Sequence, residues 1–199
     1  MPAFNTAELL QQMVQNVQET IDTATQLQQL PTTLLNKQPE PGKWSIAQVV
    51  EHLNSYNRYY LPEISKALKE KQGHLPFNPV FRAGLFGDYF TRMMQPKEDG
   101  RIANKMQAPK DHRPADIMNT EKVLAEYIAG QQQLLTLLAL AGQTDMRKLK
   151  VPISISRFIK LKLGDTFRFL IAHQLRHFIQ VGNIVTAIDA RTGSISITA

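Results

Sequence analysis

Five histidines, at positions 52, 74, 112, 173 and 177, are the residues of this 199-residue chain best suited to chemistry. Two of them lie in His173-Gln-Leu-Arg-His177. On a helix, an i, i+4 pair sets both imidazoles on one face, one turn apart, which suits two ligands on one metal ion. The pattern is close to H-E-x-x-H, but Gln174 stands where the general-base glutamate would be, and a thermolysin-like protease is thereby disfavoured. His52 shares a helical face with Gln48, Tyr56 and Tyr59, and apolar Val49 and Leu53 place that face at or beside a core. A buried histidine there needs partners for its ring nitrogens. One histidine from one helix and two from another can converge inside a bundle, where metal sites are built from facing helices. His74, beside Gly73 and Pro76, and His112, between Asp111 and Arg113, read as loop residues.

Composition narrows the chemistry further. There is no cysteine, so disulfides, thiolate zinc sites, iron–sulfur clusters and cysteine nucleophiles are excluded, and any metal must be held by nitrogen or oxygen. No P-loop, dinucleotide fingerprint or paired-carboxylate spacing is present. The formal charge is +6. Its basic residues concentrate at Arg147, Lys148, Lys150, Arg157, Lys160, Lys162 and Arg168, opposed there by Asp165. Such a patch could contact phosphates, with Phe158, Phe167 and Phe169 as stacking candidates. Without a zinc-finger or RRM signature, a solvated basic connection is the better reading, and nucleic acid is disfavoured as a partner. The N-terminus lacks a basic region followed by an apolar stretch, and no apolar run approaches a membrane span, so a soluble, cytoplasmic protein is expected.

The elements that must position these histidines follow from periodicity. Leu10, Met13, Val14, Val17, Ile21, Ala24 and Leu27 recur at helical spacing, and Pro31 stops the pattern. A second helix opens at Trp44-Ser-Ile-Ala-Gln-Val, with Ser45 and Gln48 as a capping box and Trp44 and Val49 as a hydrophobic staple. It continues through Val49, Leu53, Tyr56, Tyr60 and Ile64, and Pro62 should kink it or end its regular part. Residues 73–115 are loop-rich, with one amphipathic piece over Phe81 to Met94 that can pack on the bundle or serve as a lid or dimer surface. A third helix is expected from near Asp116, its cap, to Gly142, with Ile117 and Leu124 on its apolar side. A connection with β-branched Val151, Ile153 and Ile155 leads to a fourth helix capped by Asp165. The tail from Gly193 alternates like a strand. One domain over residues 1–199 is expected, an all-α bundle in which each apolar stripe is covered by another helix.

The stretch Lys43-Trp-Ser-Ile-Ala-Gln-Val-Val-Glu-His52-Leu resembles the second-helix signature of the DinB-like (DinB/YfiT) superfamily, and residues 163–181, with His173, His177 and Gln180, resemble its closing helix. The resemblance covers essentially the whole chain, with residues 73–115 least recognisable. It implies an up-down-down-up four-helix bundle with a long crossover between the second and third helices. It also implies a divalent metal, nickel or zinc, held by three histidines matching His52, His173 and His177. Activities known in the family include thiol-dependent transfer or isomerisation, and metal-dependent hydrolysis. With no cysteine here, a thiol would have to be an external low-molecular-weight cofactor. Gln48, Tyr56, Arg176 and Gln180 are candidates to support the ligands, and Gln180 could orient a ligand or water. Arg176 either faces outwards or anchors an anionic substrate. The expected function is a metal-dependent thiol S-transferase or hydrolase acting on a small molecule. The alternative is a non-catalytic, metal-stabilised binding module.

Overall fold

The computed structural model describes residues 1–70, 75–97, 100–102 and 106–192. In chain order the elements are β1 (Ala3–Asn5), α1 (Thr6–Leu27), α2 (Thr32–Leu35), α3 (Ile46–Glu70), β2 (Val80–Arg82) and α4 (Leu85–Met94). A 3₁₀ turn (Lys110–His112) follows, then α5 (Thr120–Ala141), β3 (Lys150–Ile153), β4 (Ser156–Lys162) and α6 (Leu163–Thr192). The long helices α1, α3, α5 and α6 form the bundle: α1 and α3 each pack against both α5 and α6.

Local chemistry explains where these helices start. Asn5 Oδ1 accepts from the Ala7 and Glu8 amides at 3.0 and 3.3 Å, satisfying two of the first-turn donors of α1. At the head of α3 the capping box is present: Ser45 Oγ accepts from the Gln48 amide at 3.2 Å, and Gln48 Oε1 accepts from the Ser45 amide at 3.0 Å. The helix then passes through Pro62 to Glu70 rather than ending there. Leu61, Ile64, Ala67 and Leu68 are buried around and beyond the proline, and their packing outweighs the hydrogen bond it removes.

Three expected helix features are corrected. α5 begins at Thr120, not Asp116, because Asn119 Oδ1 caps it by accepting from the Lys122 amide at 2.9 Å; Ile117 lies ahead of it, 93 % exposed. Asp165 is no cap either. It sits within the first turn of α6, which starts at Leu163, and its carboxylate accepts from the Gly84 amide at 2.7 Å. The all-α expectation also needs amending, since two small antiparallel sheets are present. β1 pairs with β2 through Phe4↔Phe81, and β3 pairs with β4 through Val151↔Leu161. The β-branched run read as a connection is a hairpin because Val151, Ile153 and Leu161 are buried by it. Tyr59 Oη donates to the Ile153 carbonyl at 3.1 Å, and Tyr60 Oη accepts from the Ser154 amide at 3.2 Å, tying the hairpin to α3.

Within the crossover, Phe81 and Met94 are buried, whereas Leu85, Phe86 and Tyr89 are exposed; the stripe packs by one side on α6. The basic stretch is not uniformly solvated. Arg168 pairs with Asp88 and Asp165 and lies 4.5 Å over the Phe4 ring, and Arg147 pairs with Asp145, while Arg157, Phe158 and Lys160 are exposed on β4. The expected strand in the tail and His74 lie outside the described residues.

The apolar core has two parts. One takes Met13 to Ile21 of α1, Tyr56 to Leu68 of α3, Leu134 to Ala141 of α5 and Leu163 to Ala172 of α6. The other takes Ala24 and Leu27, Ile46 to Leu53, Val123 to Tyr127 and Val181 to Ile188. Near the boundary, α3, α5 and α6 contribute buried polar residues, Asn54, Asn57, Gln131, His173 and Gln174. The triad helices therefore meet at a polar level of the bundle.

Candidate metal centre

α3 supplies His52, and α6 supplies His173 and, one turn later, His177. His52 and His173 are buried and His177 is half-buried. His52 Nε2 lies 3.2 Å from His173 Nε2, and His177 Nε2 lies 3.1 Å from that same nitrogen. The three ligand nitrogens are all within 4.8 Å of one another.

The outer ring nitrogens decide what these contacts are. His52 Nδ1 is 2.7 Å from the His112 carbonyl, and His177 Nδ1 is 2.8 Å from Gln180 Oε1. Both partners are oxygens that accept only, so each Nδ1 carries the proton and each Nε2 presents a lone pair. A neutral His173 can donate from Nε2 to at most one of them, because a neutral imidazole bears a single N–H. At least one inward lone pair thus lacks a proton donor within the triad. A cation bound by all three resolves this. The spacing fits as well: tetrahedral metal–nitrogen bonds of 2.0–2.1 Å imply nitrogens about 3.3 Å apart. His173 Nδ1 is buried with no protein partner.

Electrostatics keep the rings in the ligating form. Burial pulls His52 down to about 4, only partly offset by the bond to the His112 carbonyl. Burial and the neighbouring His52 pull His177 down to about 3, against the supporting bond from Gln180. His173 is held well below the ordinary range by burial and then by His177 and His52. At neutral pH all three are uncharged and need release no proton to bind a metal.

Aromatic rings wall the triad. Trp44 lies 5.0 Å from His52, and Tyr56 lies 5.2 Å from His52 and 4.3 Å from His173 between ring centroids. Phe169 stacks parallel to His173 at 6.0 Å. Burial pushes the Tyr56 hydroxyl up to about 12, so it stays protonated as a donor at neutral pH. Gln180 supports His177 directly, whereas the Gln48 side chain is engaged in the capping box. Arg176 does not face outwards; it is 7 % exposed, and its charge helps to depress both His173 and His177.

His112 lies in a short turn of the crossover and outside the cluster of three histidines, in line with a loop residue, yet it reaches the site. It is buried, its carbonyl orients His52, its Nδ1 meets Ser55 Oγ at 2.9 Å, and its ring stacks on Tyr56 at 4.0 Å. The only sequence signal for this was proximity of a histidine to Pro109 and Pro114, too weak to place it 60 residues away against α3.

Known proteins add to this picture. YfiT from Bacillus subtilis, described as a probable metal-dependent hydrolase with an unusual four-helix bundle topology, has a similar solved structure, with a TM-score of 0.54 and 15 % identity. The match covers 96 % of this chain and 89 % of that one, and at this identity the likeness is one of fold. No curated protein sequence matches the chain. The profile of the DinB superfamily matches residues 12–181, a span that contains all three inward-facing histidines, and the chain accordingly belongs to the DinB superfamily.

Proposed function

We propose that this protein is a metal-dependent enzyme that hydrolyses a small molecule or transfers an external thiol to it, with His52, His173 and His177 as the metal ligands. The observation that carries the reading is the convergence of three neutral imidazoles whose inward lone pairs outnumber the protons available between them. Nitrogen donors of this kind suit zinc or nickel. A divalent ion there would supply Lewis acidity, holding a water or a small thiol in its reactive, deprotonated form near neutral pH.

The chain's own residues do the rest. Three uncharged ligands leave the ion's charge uncompensated, and Arg176 adds a positive charge nearby, so the site favours an anionic nucleophile or substrate group. Tyr56, whose ring packs against His52 and His173 and whose hydroxyl stays protonated, is assigned as a hydrogen-bond donor to developing negative charge. Trp44 and Phe169 exclude bulk water and offer apolar faces to a substrate. Similarity in fold to a probable metal-dependent hydrolase supports the hydrolytic arm, and the resemblance of the helix signatures to the family supports the thiol arm and the up-down-down-up order of the long helices.

The test is a screen of zinc- and nickel-loaded protein against esters, amides and thiol–electrophile pairs, with His173→Ala as control. Turnover of at least one class that falls by 100-fold or more in the variant, a loss typical of removing an essential catalytic group, is the expected result. Tight metal with no turnover of any class would overturn the enzymatic reading in favour of a binding module.

A further inference from the structure

We propose that Ser55 and the 3₁₀ turn at Lys110–His112 form a latch that sets the tautomer and aim of His52, making Ser55 and His112 positioning residues. The consequence for metal binding rests on the proposed ligand set; the tautomer itself does not.

The latch is a closed circuit of hydrogen bonds. Ser55 Oγ donates its single proton to the His52 carbonyl at 2.6 Å. Its lone pairs are left to accept, so at 2.9 Å the His112 ring must donate from Nδ1–H. That bond, with the face-to-face contact of His112 on Tyr56 at 4.0 Å, holds the turn from two sides. The turn then presents the His112 carbonyl 2.7 Å from His52 Nδ1. A carbonyl accepts only, so His52 is held as the Nδ1–H tautomer with its Nε2 lone pair directed at His173. The circuit starts at the backbone of His52 and returns to its side chain through a segment nearly 60 residues away. The turn at Lys110–His112 is therefore part of the site. Partners of this kind fix ring orientation in metal centres, and their loss costs about 10- to 100-fold in affinity.

The experiment uses the full chain with ¹⁵N-labelled histidine. Long-range ¹H–¹⁵N spectra of metal-free protein at pH 7.5 report which nitrogen of His52 is protonated, and calorimetry reports zinc affinity. Wild type is expected to show His52 as Nδ1–H. Ser55→Ala is expected to give a mixture of His52 tautomers and about 10- to 100-fold weaker zinc binding, and Ser55→Thr, which keeps the hydroxyl, to restore both. His112→Ala should repeat the Ser55→Ala result, and it carries the test if Ser55→Ala fails to fold. A lower melting temperature with an unchanged tautomer would reduce Ser55 to a structural role and overturn the latch. So would an Nε2–H tautomer in wild type. Wild type that shows the expected tautomer shift on Ser55→Ala yet binds no zinc would uphold the latch and reject the metal reading.

Discussion

Burial holds the His52 imidazole at about 4 and the His177 imidazole at about 3, far under the ordinary value near 6.5, and the stability of metal-free protein must follow. Above pH 6.5 both folded and unfolded states carry these rings neutral, so they add no pH dependence. As pH falls from 6.5 toward 4, the unfolded chain takes up protons that the native rings refuse, and stability drops by an amount on the order of a few kcal/mol. Urea unfolding of metal-free protein between pH 7.5 and 4 should show that loss, and His177→Gln should make it shallower; a flat profile would contradict the burial argument. Gln180 is the second residue-scale handle. Gln180→Leu removes the acceptor for His177 Nδ1–H and should weaken zinc binding about tenfold, whereas Gln180→Glu, a stronger acceptor, should not; titration calorimetry distinguishes them. His173 and His177 are legible in the sequence because a helix sets i, i+4 neighbours together, and His52 because its helical face borders a core. Ser55 and His112 were not. Their contact joins a helix to an irregular crossover, and no periodicity spans that distance.

The crossover helix α4 is seated on the first turn of α6 through Asp165 and Arg168. Asp165, fully buried at the start of α6, accepts from the Gly84 amide and pairs with Arg168, which also reaches Asp88 on α4. α4 approaches so closely that a Cβ on Gly87 would fall 2.3 Å from the Asp165 side chain. Gly87→Ala should therefore cost about 1–3 kcal/mol, read as a lower midpoint in urea; an unchanged midpoint would show that α4 is not seated on Asp165. Through Phe90, 6.4 Å from Phe169, α4 also backs the aromatic wall of the triad. The four bundle helices were legible because each carries one apolar stripe of period 3.6. The late start of α5 and the helical course through Pro62 were not, because capping by Asn119 and packing beyond the proline are decided by side chains and tertiary contacts. The sheets escaped for a related reason. β1 and β2 are three residues each and far apart in sequence, and β4 alternates apolar with charged residues only over Ile159 to Lys162.

Across the whole molecule, two apolar clusters are joined at a polar level that contains the histidines and a set of buried amides. Gln131 is fully buried with both polar side-chain atoms unpartnered by protein. Replacing it with Met, of similar length, should raise stability by about 1–2 kcal/mol by removing groups that lose hydration without compensation. A fall in the melting temperature would show instead that the amide is satisfied in solution. No described helix is long and apolar enough to cross a membrane. The bundle thus reads as a scaffold whose midsection gathers polar side chains that an unbroken apolar core would exclude, with the triad as their functional part. The most direct measurement is titration of tag-free, metal-stripped protein with zinc, followed by X-ray absorption at the zinc edge. One ion per chain, with three histidine nitrogens at about 2.0–2.1 Å and affinity lost in both His52→Ala and His173→Ala, is the expected result. No uptake by wild type, or uptake that survives those substitutions, would contradict a three-histidine metal centre.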